Sequence, residues 1–175
     1  MFQLQLDIAG DKQVMRGFSR FADGVKDFRE PLKEILEDFH EIEKKQFSSE
    51  GGYGSGGWAP LAPVTVEQKA RAGYPYDILV RTGDLRDAMT GGSGSEAEVT
   101  KDSLKVMMPW YGKFHQQGTR RMPRRPVVQL QEADKTRWSK IFHEYLVNLS
   151  RKEFAGLMDI QGAGMSHLKA ISKGG

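Results

Sequence analysis

Charged residues suited to acid–base chemistry lie in the stretch DILVRTGDLRDAMT, residues 77–90. Asp77 and Asp84 stand on either side of Arg81, and two neighbouring carboxylates can serve as general acid and general base. In a short amphipathic helix, however, such charges more often face water or pair with their neighbours. Because no nucleophile or phosphate-binding loop accompanies them, we expect no catalytic residue here.

The second stretch is PWYGKFHQQGTRRMPRRPVVQL, residues 109–130. His115 could act as a base or a ligand, but a single histidine beside Phe114 and Gln116 is far more often a hydrogen-bonded structural residue. The RRMPRR run could bind a phosphate backbone, because guanidinium groups pair bidentately with phosphates, or it could meet an acidic protein partner. Four guanidiniums cannot be packed into a dry core without partners, so we expect an exposed loop. The loop contains Arg120, Arg121, Arg124 and Arg125.

Composition removes several other kinds of site. The 175 residues include no cysteine, which excludes disulfides, thiolate metal sites and cysteine nucleophiles. The four histidines show no HxxxH or HExxH spacing, so we expect neither a metal nor a cofactor. The apolar runs are too short to span a bilayer, and we expect a soluble protein with no membrane partner. The net charge is only +3, but residues 111–140 hold eight Lys/Arg against two acidic residues, so the basicity is local.

The elements that must position these residues begin with a predicted strand at residues 1–10, where apolar and polar residues alternate. From Val14 to Ile42 apolar residues recur at steps of three and four, which predicts a helical stripe about 50 Å long. Pro31 must kink this run or restart it, so we expect two nearly continuous pieces. Because the stripe exceeds what one small domain covers, part of it should meet a neighbouring subunit.

Shorter patterns complete the predicted layout. We expect a flexible Gly/Ser loop at residues 48–57 and a short helix that opens with a capping box at residues 65–68 and is closed by Gly73. A second short helix is expected to have Thr82 as its cap and to run to Met89. A hairpin turning near residues 101–102, one or two helical turns at 110–116, a strand at RRPVVQL and a final helix follow. The prediction is one α+β domain over residues 1–154, with a small antiparallel sheet packed on the long N-terminal helix, and a flexible tail over 155–175.

The order of the motifs carries further information. WAPLAPVTVEQKARAG, ILVRTGDLRDAMT, the hairpin, YGKFHQQGT and RRMPRRPVVQL follow one another before a final helix. Together they resemble the virion morphogenesis or tail completion family of Mu-like tailed phages. Gly112 and Phe114 stand where that family more often has Ala and Ile. The resemblance covers residues 47–130 by motif, and it implies architectural roles for a set of matching positions. These are Trp58, Leu61, Arg81, Thr82, Gly83, Leu85, Arg86, Tyr111, His115, Gly118, Arg125 and Pro126.

The resemblance implies a non-enzymatic structural protein of the virion neck or tail end, assembled in the cytoplasm of a host bacterium. Proteins of this family generally form rings, commonly of six copies, and we expect a hexamer. The implied partners are neighbouring neck, connector and tail tube proteins, with genomic DNA in the channel as a further contact. The alternative from another class is a small DNA-binding accessory protein that uses the basic loop, Arg120 to Arg125.

Overall fold

The computed structural model describes residues 11–54 and 56–168. In chain order the elements are α1 (Asp11–Gly24), α2 (Arg29–Ser48), α3 (Pro63–Ala72), α4 (Asp84–Met89), β1 (Glu96–Val99), β2 (Leu104–Met107), α5 (Gly112–Gln117) and α6 (Glu132–Leu168). The predicted α+β class, with a small antiparallel sheet, is confirmed. The strand predicted at residues 1–10 lies outside the described residues.

The chain divides into two compact units, one drawn from residues 1–28 and 142–175 and the other from residues 29–141. The expectation of one domain over residues 1–154 stays a prediction. All the motifs that could carry function lie in the second unit.

The predicted interruption of the long N-terminal helix is confirmed, because α1 ends at Gly24 and α2 begins at Arg29. Pro31 is the third residue of α2. The first four N–H groups of a helix have no intrahelical acceptor, so the missing N–H of a proline costs little there. The restart therefore falls two residues earlier than the proline itself.

The first unit is held by aromatic contacts. The Phe18 and Phe154 rings meet edge to face with centroids 5.1 Å apart, and the Phe28 and Phe142 rings do the same at 5.7 Å. The Tyr145 hydroxyl donates to the Asp27 carbonyl at 2.9 Å. Part of the apolar stripe of α1 thus packs on residues of α6 within the chain, while Phe18 remains 56% exposed.

The core of the second unit combines α2, α4 and the segments between the helices. Trp58, Leu85 and Met89 are buried, and Leu61 and Leu79 are partly buried against the same cluster. The full buried cluster is Phe39, Phe47, Trp58, Ile78, Val80, Leu85, Met89 and Val127, and Tyr111 packs against it.

The predicted hairpin is confirmed. Strands β1 and β2 are antiparallel, with Glu96 opposite Met107 and Val99 opposite Leu104. The Thr100 side chain closes the turn, since its hydroxyl donates to the Asp102 carboxylate at 2.8 Å. These two strands form a two-stranded sheet that packs against α2 and α4.

Two predicted helix starts are wrong. Helix α3 begins at Pro63, with Ala62 as N-cap and no side-chain cap, so the capping box predicted at residues 65–68 does not form. Proline fits the first helical position well and moves the start upstream. Helix α4 has Gly83 as N-cap, and the Thr82 hydroxyl donates to the Asp84 carboxylate at 2.7 Å instead of capping the backbone.

The strand predicted at RRPVVQL is also wrong, because residues 124–130 form no strand. The Gln116 side chain takes the place of a neighbouring strand. Its Oε1 accepts from the backbone nitrogens of Val127 and Val128 at 2.8 and 3.0 Å, and its Nε2 donates to the Val128 carbonyl at 2.8 Å. A side-chain amide satisfies the same backbone groups that a β-ladder would, so the extended sequence needs no sheet.

Hydrogen bonds hold much of the predicted flexible loop at residues 48–57. The Gly54 nitrogen donates to Gln46 Oε1 at 3.0 Å, and the Tyr53 hydroxyl donates to Asp134 at 2.7 Å. A Cβ at Gly51 would lie 2.4 Å from the indole of Trp58. The indole therefore leaves no room for a side chain at this position of the loop. Mobility of this loop stays a prediction.

The predicted C-terminal tail is helical in its first part. Helix α6 continues past residue 154 to Leu168, and residues 169–175 lie outside the described residues. The weak apolar patterning of this stretch and its glycines at 156, 162 and 164 did not indicate a helix. Proline, the strongest helix breaker, does not occur in residues 155–168. Flexibility of this stretch stays a prediction.

Candidate functional site

Trp58 joins the motif segments at the centre of the second unit. Its indole nitrogen donates to the Pro126 carbonyl at 2.8 Å, and Gln46 Nε2 donates to the same oxygen at 3.1 Å. The Trp58 ring also meets Phe47 edge to face, with centroids 5.3 Å apart. A tryptophan buried with its N–H paired fixes the segment around it, so Trp58 ties the chain after the glycine-rich loop to α2 and to the PVV segment.

Arg125 is buried, with only 7% of its surface exposed, so the prediction of four exposed arginines is wrong for this one. Its Nε donates to the Ala59 carbonyl at 2.8 Å and its Nη2 to the Pro60 carbonyl at 2.9 Å. Its backbone nitrogen donates to the His115 carbonyl at 2.8 Å. This guanidinium can be buried because carbonyl oxygens replace water as its hydrogen-bond partners. Burial lowers the pKa of Arg125 from its usual value.

The other three arginines of the run are exposed, as predicted. Thr119 and Met122 form an isolated antiparallel bridge, with backbone bonds of 2.9 and 3.2 Å. Arg120 and Arg121 therefore occupy the tip of a tight turn, and Arg124 follows with its Nε donating to the Gln116 carbonyl at 3.1 Å. We call residues 119–124 the basic turn.

Gly118 lets the basic turn leave α5. Its φ is 75°, and a Cβ there would lie 2.9 Å from the backbone nitrogen of Arg124. An L-residue would therefore be strained both by its own backbone and by the returning chain. Glycine at this position fixes where the exposed arginines are presented.

Lys69 is a structural residue that the sequence did not single out. It is nearly buried, and its ammonium donates to the carbonyls of Pro75, Asp77 and Val80 at 2.9, 2.8 and 2.6 Å. Leu79 within this segment has a positive φ of 60°, a rare conformation for a branched side chain. One cation thus fixes the path of the chain into the TGDLR motif, and burial lowers the pKa of Lys69.

A cavity of about 740 Å³ opens beside these residues. Helix α3, the segment 79–85, α5 and the basic turn all contribute residues to its lining. We call it the motif cavity. Its lining includes Leu61, Arg81, Thr82, Gly83, Leu85, Tyr111, His115, Arg121 and Arg125. The structure thus brings most of the motif residues into one place, although the motifs are far apart in the chain.

The polar groups of the cavity wall differ in how well they are paired. The Nδ1 atom of His115 is buried without a hydrogen-bond partner in the described part of the chain. Burial, and then the charge of Arg125, lower the pKa of His115, which favours the neutral ring. Burial, and then the charge of Asp84, raise the pKa of Tyr111. The side chain of Arg81 lies over the Tyr74 ring, 4.9 Å from its centroid, where the cation is attracted to the aromatic face.

The remaining motif residues lie outside the cavity lining. Arg86 pairs with Asp87 at 2.8 Å on the surface, and Gly118 and Pro126 support the basic turn and the Trp58 contact. Of the two carboxylates considered for acid–base chemistry, Asp84 lines the cavity and Asp77 does not.

The sequence analysis did not predict that polar residues lie inside the core. Glu43 is fully buried and neither of its carboxylate oxygens has a partner among the described residues. Burial raises its pKa to about 8, so the group is protonated at neutral pH. A signal for it does exist, since Glu43 lies four residues from both Phe39 and Phe47 on the apolar stripe of α2. Gln116, which pairs with the PVV segment, has no comparable signal.

A second concave region lies along α2 and is lined by acidic residues. Glu34, Glu37 and Glu41 face it, and Asp38 is already bound by Arg137 at 2.7 Å. No group of three or more residues suited to a metal ion occurs within residues 11–54 and 56–168. In the same part of the chain, no helix is long and apolar enough to cross a membrane.

Comparison of the chain with protein-family models, with curated proteins and with solved structures gives no match. The function must therefore be inferred from the motifs and from the geometry they form.

Proposed function

We propose that this chain is a non-enzymatic structural protein of a tailed-phage virion, part of the ring at the neck or tail end that completes the tail and joins it to the DNA-filled head. The observation that carries the proposal is the convergence of the motif segments. The segments that begin with Trp58, Thr82, Tyr111 and Arg125 resemble the tail completion family in order, and they form one packed arrangement around a shared cavity. Residues retained in a chain for architecture are expected to lie together in this way.

The chemistry of this arrangement favours assembly. Arg125 and Lys69 donate to backbone carbonyls, so each acts as a brace between chain segments. Asp84 accepts a hydrogen bond from the Thr82 hydroxyl, and burial lowers the pKa of His115, which also lines the cavity. Such a site holds its loops in place, and it presents the basic turn on a fixed support. A rigid, exposed turn is suited to a partner surface.

Exposed apolar side chains support contact between copies of the chain. Trp110 is 74% exposed, and its ring meets that of Phe114 edge to face with centroids 5.9 Å apart. Met107 and Tyr76 are also exposed in the same unit. Clustered exposed aromatic residues mark protein contacts more often than free surface, and a homo-oligomeric ring of six copies would cover them.

The basic turn gives the sharpest test. Arg120, Arg121 and Arg124 are exposed, so replacing all three with serine should leave the monomer folded. In the phage that encodes the chain, we expect this variant to give unjoined heads and tails, counted by electron microscopy. The control replaces three exposed basic residues elsewhere, Arg71, Lys101 and Lys105, and should leave joining intact. Fully infectious particles from the basic-turn variant would overturn the proposal.

A second candidate function is favoured by the same three exposed guanidiniums. A DNA-binding accessory protein that uses them would bind duplex DNA without reading its sequence. Three neutralised phosphates predict a slope of about −3 for the logarithm of the binding constant against that of salt concentration. Fluorescence anisotropy with a labelled duplex measures this slope. A steep slope that disappears in the basic-turn variant would favour this alternative, and no measurable binding would remove it.

A further inference from the structure

We propose that the motif cavity is a docking site for an extended segment of a partner protein in which a carboxylate stands beside an apolar side chain. The inference stands whether or not the chain is a virion protein. It depends on three features of the cavity: its apolar floor, the sign of its charge and its incompletely paired polar groups.

The apolar part of the cavity lining, which we call the floor, includes Leu61, Leu79 and Leu85. Met122 and Pro123 of the basic turn belong to it as well. Its volume of about 740 Å³ lies in the range of cavities that enclose a bound ligand, which are also mostly apolar with a few placed polar groups. An apolar side chain entering this space would be removed from water on most sides, which supplies the main free energy of docking.

The charges around the floor attract an anionic group. Arg81, Arg121 and Arg125 line the cavity against the single carboxylate of Asp84. Lys69 also lines it, but its ammonium is already shared by three carbonyls. Guanidinium groups pair with carboxylates through two parallel hydrogen bonds. Nη1 of Arg125 makes no hydrogen bond within the described part of the chain, although Nε and Nη2 of the same group do.

Two polar groups of the wall match a peptide backbone. The buried His115 Nδ1 has no partner among the described residues, and a buried unpaired polar atom is costly until a ligand supplies its partner. The Asp84 carboxylate accepts from the Thr82 hydroxyl and has acceptor capacity left for a backbone N–H.

These features favour a peptide over a nucleic acid. A phosphate backbone has no apolar side chain and would leave the leucine floor uncovered. In a peptide segment, the carboxylate would pair with the arginines and the apolar side chain would cover the floor. Its backbone would hydrogen-bond with the polar groups of the wall. We therefore expect the partner to be an acidic loop or chain end of a protein, with an apolar side chain next to its carboxylate.

The test is to select from a displayed library of random eight-residue peptides on the full chain. We expect the enriched peptides to share an Asp, Glu or terminal carboxylate next to a large apolar residue. Synthetic versions should bind at least tenfold more weakly to the Arg121→Gln variant and equally well to the Arg71→Gln variant, which changes an exposed arginine outside the cavity. Replacing the carboxylate of the peptide by an amide should give a similar loss.

Three outcomes would overturn the inference. The first is no enrichment above an unrelated protein, and the second is enriched peptides whose affinity does not depend on Arg121. The third is self-association of the chain that disappears in both Arg121→Gln and Glu37→Gln, because the occupant would then be the acidic face of α2 in a second copy. Arg121 is exposed, and an unchanged melting temperature of its variant verifies folding. The binding assay uses no phage particles, so its failure is distinguishable from failure of the virion proposal.

Discussion

Replacing Arg125 with methionine should destabilise the second unit strongly, although the change removes only a guanidinium. Methionine keeps an aliphatic chain of similar length but leaves the carbonyls of Ala59 and Pro60 without their donors. A buried acceptor left unpaired costs about 1–3 kcal/mol. Ala59 is half-buried and Pro60 is exposed, so water replaces part of the two lost hydrogen bonds, and removing a buried cation relieves a further part of the cost. We expect a net loss of about 1–3 kcal/mol.

Urea unfolding followed by circular dichroism and tryptophan fluorescence measures this loss. The matched control is Arg124→Met, one residue earlier, where the side chain is exposed and makes one hydrogen bond to the Gln116 carbonyl. The control should lose less than about 1 kcal/mol, since exposed polar contacts contribute little. Equal losses for the two variants would show that Arg125 is not the brace we infer, and that its burial does not organise the site.

Three further changes test the packing. Burial raises the pKa of Glu43 to about 8 from an ordinary 4.5. The unfolded chain releases this proton first, so stability should fall by about 1 kcal/mol per pH unit between those values. Glu43→Gln should remove that slope in urea titrations, and an unchanged slope would refute it. Gly118→Ala should cost about 1–3 kcal/mol more than Gly94→Ala, because both have positive φ but a Cβ at Gly94 meets nothing within 4 Å. Leu85→Ala should cost roughly 2–5 kcal/mol, and an unchanged melting temperature would show that α4 is peripheral.

Elements with strong local signals could be predicted from the sequence. The break between α1 and α2 just before Pro31, the hairpin and the end of α3 at Gly73 depend on backbone preferences that a few neighbouring residues determine. The burial of Leu85 and Met89 follows from apolar spacing on one face of a short helix. These signals act within one turn or one pair of strands, so no distant residue is needed to recognise them.

Residues whose role depends on distant partners could not be predicted. Arg125 belongs to a basic run and was expected at the surface, but carbonyls 65 and 66 residues away in the chain receive its guanidinium. The partners of Lys69 and Gln116 are nearer, 6 to 12 residues further along the chain, but they lie in segments without regular secondary structure, where residue spacing does not indicate the pairing. The motif cavity has the same origin, since it exists only where four segments meet. The motif resemblance indicated which segments have an architectural role. It did not indicate which residues of these segments are in contact.

The virion proposal is tested most directly by locating the chain in purified particles of the phage that encodes it. Immunogold labelling with an antibody against the second unit, viewed by electron microscopy, gives the position on each particle. We expect the label at a single site where the head meets the tail, on most complete particles and not on empty heads alone. Absence of the chain from purified particles, or label spread over the head surface, would contradict a role at the neck or tail end.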